Sequence, residues 1–164
     1  MNEPTTTLAY SLVSEPENLA PASEGHPRQG RLEITAALDP SSTQVLRCRS
    51  ITVTVPTGRA PDGLTNQPER ITTGYRARTR WLISKNTANP TRTEFTLRPQ
   101  NLRRELVFDA AETVTLILER IPLITQAGTV EIQITADTNS GTEPYARATT
   151  TVPLTIHRAA ADQP

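Results

Sequence analysis

Apolar and polar residues alternate with a period of two along much of this chain. The clearest stretch is residues 112–137, ETVTLILERIPLITQAGTVEIQITAD. Val114, Leu116 and Leu118 alternate with Thr113, Thr115, Ile117 and Glu119, and Val130, Ile132, Ile134 and Ala136 alternate with Thr129, Glu131, Gln133 and Thr135. A strand points successive side chains to opposite faces, so this pattern predicts two strands, each with one dry and one wet face. The short break between them predicts a β-hairpin. A lone hairpin is marginal in water, so the remaining chain must cover its apolar face.

The same rhythm recurs in both directions. Leu8, Tyr10 and Leu12 predict a short first strand. Residues 14–30 follow, with Pro16, Pro21 and Pro27, and read as an extended connection, because proline fixes φ and removes a ladder donor. Leu32, Ile34, Ala36 and Leu38 mark the next strand. In VLRCRSITVTV, residues 45–55, Leu46 and Cys48 share one parity while Ile51, Val53 and Val55 share the other. The switch near Arg49–Ser50 predicts a β-bulge. Residues 56–70 predict a second long loop. Residues 75–83, YRARTRWLI, read as one strand with Tyr75, Ala77, Thr79, Trp81 and Ile83 inward. Residues 94–98 and 104–109 supply two more. The last strand, 148–157, contains Pro153, which predicts an edge strand or a bulge.

About nine short strands with Gly/Pro turns and no convincing helix predict an all-β fold, a two-sheet antiparallel β-sandwich. Its expected organisation is an N-terminal strand segment at 1–14, a Pro-rich linker at 15–30, the sandwich at 31–158 and a tail at 159–164. The runs GRLEITAAL, SITVTVPTG, AETVTLIL and GTVEIQITAD resemble, in rhythm, bacterial immunoglobulin-like sandwich modules over residues 30–157. That resemblance implies a spacer, an adhesin or an assembly subunit. The chain departs from antibody domains in lacking paired cysteines, and Trp81 is not assigned their core-tryptophan role.

Composition narrows the chemistry. At 164 residues the chain can bury a core without staples, and with 4% aromatic content that core must be aliphatic. The 17 basic and 17 acidic residues cancel, so no global field draws the protein to nucleic acid. Every basic residue but Lys85 is an arginine, which fits either genome composition or a use of bidentate ion pairs. Cys48 stands alone and excludes an intrachain disulfide framework; it reads as a small buried hydrophobe. The first residues show no basic and apolar leader pattern, and no apolar run approaches the roughly 18 residues of a membrane span, so no membrane insertion is expected. The expected location is the cytoplasm, or outside the cell by a route that needs no classical signal.

No catalytic set emerges. The two histidines, His26 and His157, sit in the Pro-rich linker and near the tail, away from any nucleophile motif. The acid pairs Glu15 with Glu17 and Asp109 with Glu112 fall in loops or turns. Asp137, Asn139 and Glu143 give a weak alternating-oxygen pattern that reads more readily as a polar turn than as a metal site. No cofactor is expected. Arg76, Arg78 and Arg80 would line one side of the 75–83 strand, and Arg47 and Arg49 would do the same on another. If those strands were neighbours, five guanidinium groups would share a patch for an anionic glycan or protein. The plainer expectation is pairing with Glu94, Glu105 or Glu119.

These observations predict a non-enzymatic structural or interaction protein, a β-sandwich subunit of a larger homo- or hetero-assembly. Leu8, Tyr10 and Leu12 are the expected contacts, on a strand that a neighbouring subunit could take up. A binding module for an anionic ligand is the alternative.

Overall fold

The computed structural model describes residues 8–15, 29–42, 44–58, 63–101, 103–123, 128–140 and 144–156. They form ten strands: β1 Leu8–Glu15, β2 Gln29–Leu38, β3 Leu46–Pro56, β4 Thr72–Ala77, β5 Trp81–Asn86, β6 Arg92–Pro99, β7 Leu106–Phe108, β8 Thr113–Pro122, β9 Gly128–Asn139 and β10 Ala146–Ile156. A single 3-10 turn, Pro68–Arg70, precedes β4. The strands build two antiparallel sheets. The smaller has the order β1-β2-β8-β4; the larger has the order β10-β9-β3-β6-β5, with β7 also paired to β3.

The expected sandwich is present, and its core is mostly aliphatic, with Trp81, Phe95 and Phe108 as its buried aromatics. Leu32, Ile34 and Ala36 from β2 and Val114, Leu116 and Leu118 from β8 form the inner layer of the smaller sheet. Ile51, Val53 and Val55 from β3, with Ile132, Ile134 and Ala136 from β9, form the facing layer. Phe95, Leu97 and Phe108 are also fully enclosed. Each fully buried side chain of this size contributes roughly 1.5–3 kcal/mol relative to exposure.

Two pairing expectations are corrected. β8 and β9 do not form a hairpin. β8 pairs with β2 and β4, whereas β9 pairs with β3 and β10 in the opposite sheet. Alternation shows which face of a strand is dry; it does not identify the hydrogen-bonded neighbour, and two strands facing one core from opposite sides carry the same pattern. The single strand expected over 75–83 is two strands. β4 belongs to the smaller sheet and β5 to the larger, and the chain bends at Arg78–Thr79 as it crosses between them. Tyr75 keeps the parity of buried Leu116 and Trp81 is buried, so the crossing leaves no break in the sequence pattern, although Tyr75 and Thr79, expected inward, are exposed.

Other expectations hold in detail. The register between β3 and β9 shifts between Cys48 and Ser50, the bulge read from the parity switch. β10 is an edge strand and Pro153 is exposed on it. The described parts of the 56–70 loop are tied down: Leu64 N–H donates to Pro56 O at 2.8 Å, Gly58 N–H donates to Thr65 O at 2.9 Å, and Leu64 and Thr65 are buried. On the outer face of the larger sheet, Thr149, Thr135, Thr52, Thr96 and Ser84 stand side by side across five strands. This uncharged row separates the two ends of that face. Among the described residues, no helix is long and apolar enough to cross a membrane.

Candidate functional site

The larger sheet is interrupted at one place. β3 pairs with β7 through Leu46–Cys48 and with β6 through Ile51–Pro56, both on the same side. Arg49 and Ser50, at the bulge, therefore have no ladder partner there. Opposite them the chain leaves the sheet after Pro99 and returns at Leu106. A groove of about 550 Å³ opens at this gap, lined by Arg49, Leu82, Arg98, Pro99, Gln100, Asn101 and Arg104.

Hydrogen bonds tie the described residues of the excursion to one another and to the start of β5. Gln100 N–H donates to Arg80 O at 2.8 Å, which ties the departure to the start of β5. Asn101 clamps the return: its Nδ2 donates to Glu105 O at 2.8 Å and its Oδ1 accepts from Glu105 N–H at 3.2 Å. Arg104 N–H donates to Asn101 O at 3.1 Å. Arg104 itself sits in the left-handed region at φ 54°. A non-glycine residue there costs roughly 1–2 kcal/mol. Such strain persists where the surroundings over-determine the backbone, and it clusters at binding and switch positions.

Charge is distributed unevenly around the groove. Arg49 Nε donates to Asp137 Oδ2 at 2.6 Å, and its guanidinium lies 4.2 Å from the Tyr145 ring centroid. Tyr145 Oη donates to Glu105, which also sits 3.9 Å from Arg47. This network pairs Arg47 and Arg49 and fixes the wall of the groove. Burial, with Glu105 alongside, pushes the Tyr145 phenol up to about 12. Arg98 and Arg104 have no acidic partner among the described residues, and both are exposed. Leu82, 56% exposed, adds an apolar side. Two free guanidinium forks beside an apolar wall suit a planar anion such as a carboxylate.

The five-cation patch does not form. Arg76 projects from the smaller sheet and pairs with Glu33, whereas Arg47 and Arg49 belong to the larger sheet. Arg78 and Arg80 are exposed in the crossing segment between β4 and β5 and do not share a strand face with Arg76. Of the three acids expected to pair with these arginines, only Glu105 does so, with Arg47 at 3.9 Å; Glu94 and Glu119 lie beside Arg92 at 3.9 Å and Arg31 at 3.8 Å instead.

The other candidate residues are dispersed. Leu8, Tyr10 and Leu12 lie half-buried on β1, packed against the core of their own domain. Asp137 and Asn139 fall on β9 instead of in a turn; Asp137 is taken by Arg49, and Glu143 lies outside the described residues. Among the described residues, no group of three His, Cys, Asp or Glu side chains converges on a metal position. Asp109 caps its own turn, accepting from the N–H groups of Ala111 and Glu112 at 2.9 and 3.1 Å. Glu17, His26 and His157 are outside the described residues. Cys48 is fully buried and its thiol is pushed up to about 12 by desolvation, which makes it inert. A second recess, about 480 Å³ at the other end of the same face, is lined by Thr54, Thr91, Arg92, Glu131 and Gln133 among others, and its charges offset one another.

Comparison with known proteins gives no family model and no curated protein that matches this chain. Solved structures similar to it include AvmM, which catalyses macrocyclization in alchivemycin A biosynthesis (9% identity, 94% of this chain and 91% of that one, TM-score 0.49). ACE19, the collagen-binding subdomain of the Enterococcus faecalis surface protein ACE, is similar at 13% identity over 89% of this chain and 95% of that one, TM-score 0.43. The Actinomyces fimbrial adhesin FimA is similar at 10% identity over 96% of this chain and 52% of that one, TM-score 0.40.

Proposed function

We propose that this protein is a non-enzymatic interaction module that holds an acidic protein segment in the groove of Arg49, Arg98 and Arg104. The observation that carries the reading is the pair Arg98 and Arg104, without an acidic partner among the described residues, beside the turn clamped by Asn101. A protein segment is favoured over a glycan because sugar rings are usually held on exposed aromatic faces. Here the Tyr145 face is covered by Arg49, while Trp81, Phe95 and Phe108 are buried. The test is titration of a fluorescent poly-glutamate peptide by anisotropy. Arg98→Ala/Arg104→Ala should weaken binding by about tenfold or more, since hydrogen bonds to a charged group contribute roughly 1.5–3 kcal/mol each. Added salt should weaken it further. Affinity unchanged by the double substitution would remove the reading.

Assembly through β1 is a second reading. β1 is an edge strand joined to its own sheet on one side only, with Leu8, Tyr10 and Leu12 on its core-facing side. The same contacts would form if the strand were exchanged with a neighbouring subunit. Deleting residues 1–14 should then abolish assembly, as measured by light scattering at several concentrations, while leaving a folded core. A protein that stays monomeric at every concentration would exclude this route.

A further inference from the structure

We infer that the acidic partner enters as an extended strand added to the free edge of β5, with its carboxylates over the arginine groove. This rests on the groove reading and specifies the form of its ligand. β5 is the last strand in its sheet: β6 occupies one side, and among the described residues no strand occupies the other. Such an edge presents unpaired main-chain donors and acceptors, which proteins usually guard with proline, charge or a bulge. β10, at the opposite edge, carries Pro153. β5 reads WLISKN and has no such guard over Trp81–Ser84.

Its only charge is already engaged. Lys85 Nζ donates to the carbonyl oxygens of Pro68, Glu69 and Ile71 at 3.3, 3.3 and 2.9 Å. The ammonium thereby ties the far end of β5 to the 3-10 turn and does not oppose a strand arriving beside Trp81–Ser84.

The groove adjoins this same edge. Leu82 stands opposite Arg98, and Trp81 opposite Pro99. Strands are spaced by about 4.8 Å, so an added strand would place its outward side chains about 10 Å from the Arg98 Cβ. An extended arginine and a glutamate together span that distance. On the inner side, Ile83 is half-buried and would gain cover from an apolar residue of the incoming strand. The partner therefore alternates acidic with apolar residues, acidic toward Arg98 and apolar toward Ile83. Charge complementarity and the open ladder select the same occupant.

The test uses the whole protein and an acetylated, amidated octapeptide of alternating Glu and Val. A second octapeptide of identical sequence carries N-methyl groups on alternate backbone amides, which removes ladder donors and leaves the carboxylates in place. The expected result is binding of the first peptide, protection of the Trp81–Ser84 amides from hydrogen exchange, and loss of about tenfold in affinity on N-methylation. Equal affinity for both peptides, with Arg98→Ala still weakening both, would overturn strand addition and leave the groove reading intact. Binding of neither peptide, or binding indifferent to Arg98→Ala and Arg104→Ala, would overturn both. Because the ladder is altered in the peptide, no outcome depends on whether a β5 variant folds.

Discussion

Arg76 on β4 reaches Glu33 on β2 across the strand that lies between them. In the register, Glu33 stands opposite Ile117 of β8, and Ile117 stands in turn opposite Gly74 of β4. The ion pair therefore roofs β8 on the outer face of the smaller sheet. Glu33 also accepts from Arg31 at 3.1 Å. Beside this roof, Thr115 is buried and shares a 2.8 Å hydrogen bond with Thr35, although its direction is outward. Arg76 thus serves the sheet and not the groove. Arg76→Ala should lower stability by about 0.5–1 kcal/mol, the scale of an exposed pair together with lost stem packing. Urea denaturation reads the loss, and affinity for the poly-glutamate peptide should not change.

Arg104→Gly separates backbone strain from binding. Glycine relieves a left-handed φ of 54° but adds entropy to the unfolded chain, so stability should stay within about 1 kcal/mol of the parent or rise. Peptide affinity should fall all the same, because a guanidinium is gone. Thermal melts and anisotropy on one sample measure both. A variant that binds as tightly as the parent would show that the loop's shape, and not Arg104, makes the site.

Gly58 occupies a position no other residue fills easily. Its φ is 101°, and a Cβ would lie 2.8 Å from Pro90 O. Gly58→Ala should destabilise by about 1–3 kcal/mol, seen as a lowered melting temperature. The groove lies at the other end of the larger sheet's outer face, so peptide affinity at low temperature should be retained.

Alkaline pH should weaken the fold in a defined window. Burial raises Cys48 from its ordinary 9.0 to about 12. It also raises Tyr10, which sits between the sheets. The native state keeps protons that the unfolded chain has released, so stability is full below about pH 9 and declines as pH rises toward 12. Cys48 alone contributes a slope of about 1.4 kcal/mol per pH unit within that window. Urea midpoints at about pH 8 and about pH 11 measure the decline, and Cys48→Ala should reduce the slope. The same burial predicts that a thiol reagent labels Cys48 only after unfolding; rapid labelling of the native protein would contradict it.

The parts of this fold that could be read from the residues are those that alternation encodes directly. The dry faces, the Cys48–Ser50 bulge and the edge position of β10 each follow from parity or from one proline. Partner choice left no such trace. Val114–Leu118 and Val130–Ala136 look like the arms of a hairpin, yet they face one another through the core from opposite sheets. The crossing at Arg78–Thr79 was hidden because Tyr75, Ala77, Trp81 and Ile83 keep step through it. The groove was hidden for a related reason. Its members come from β3, β5, β6 and the excursion after Pro99, and the one signal that could have marked it, the cation-dense run from Arg98 to Arg104, reads in sequence as an ordinary polar turn.

The separation of β8 from β9 also governs how the molecule can be made. The hydrogen bond between Thr35 and Thr115 joins positions 80 residues apart, and β3 must likewise wait for β9. A chain emerging from the ribosome N-terminus first would hold β2 without β8, and β3 without β9, until most of its length had been synthesised. Such distant closures slow folding into the millisecond-to-second range typical of sandwiches. During that interval the apolar sides of β2 and β3 stand open to solvent, and a holding chaperone would meet this protein there before any ligand does.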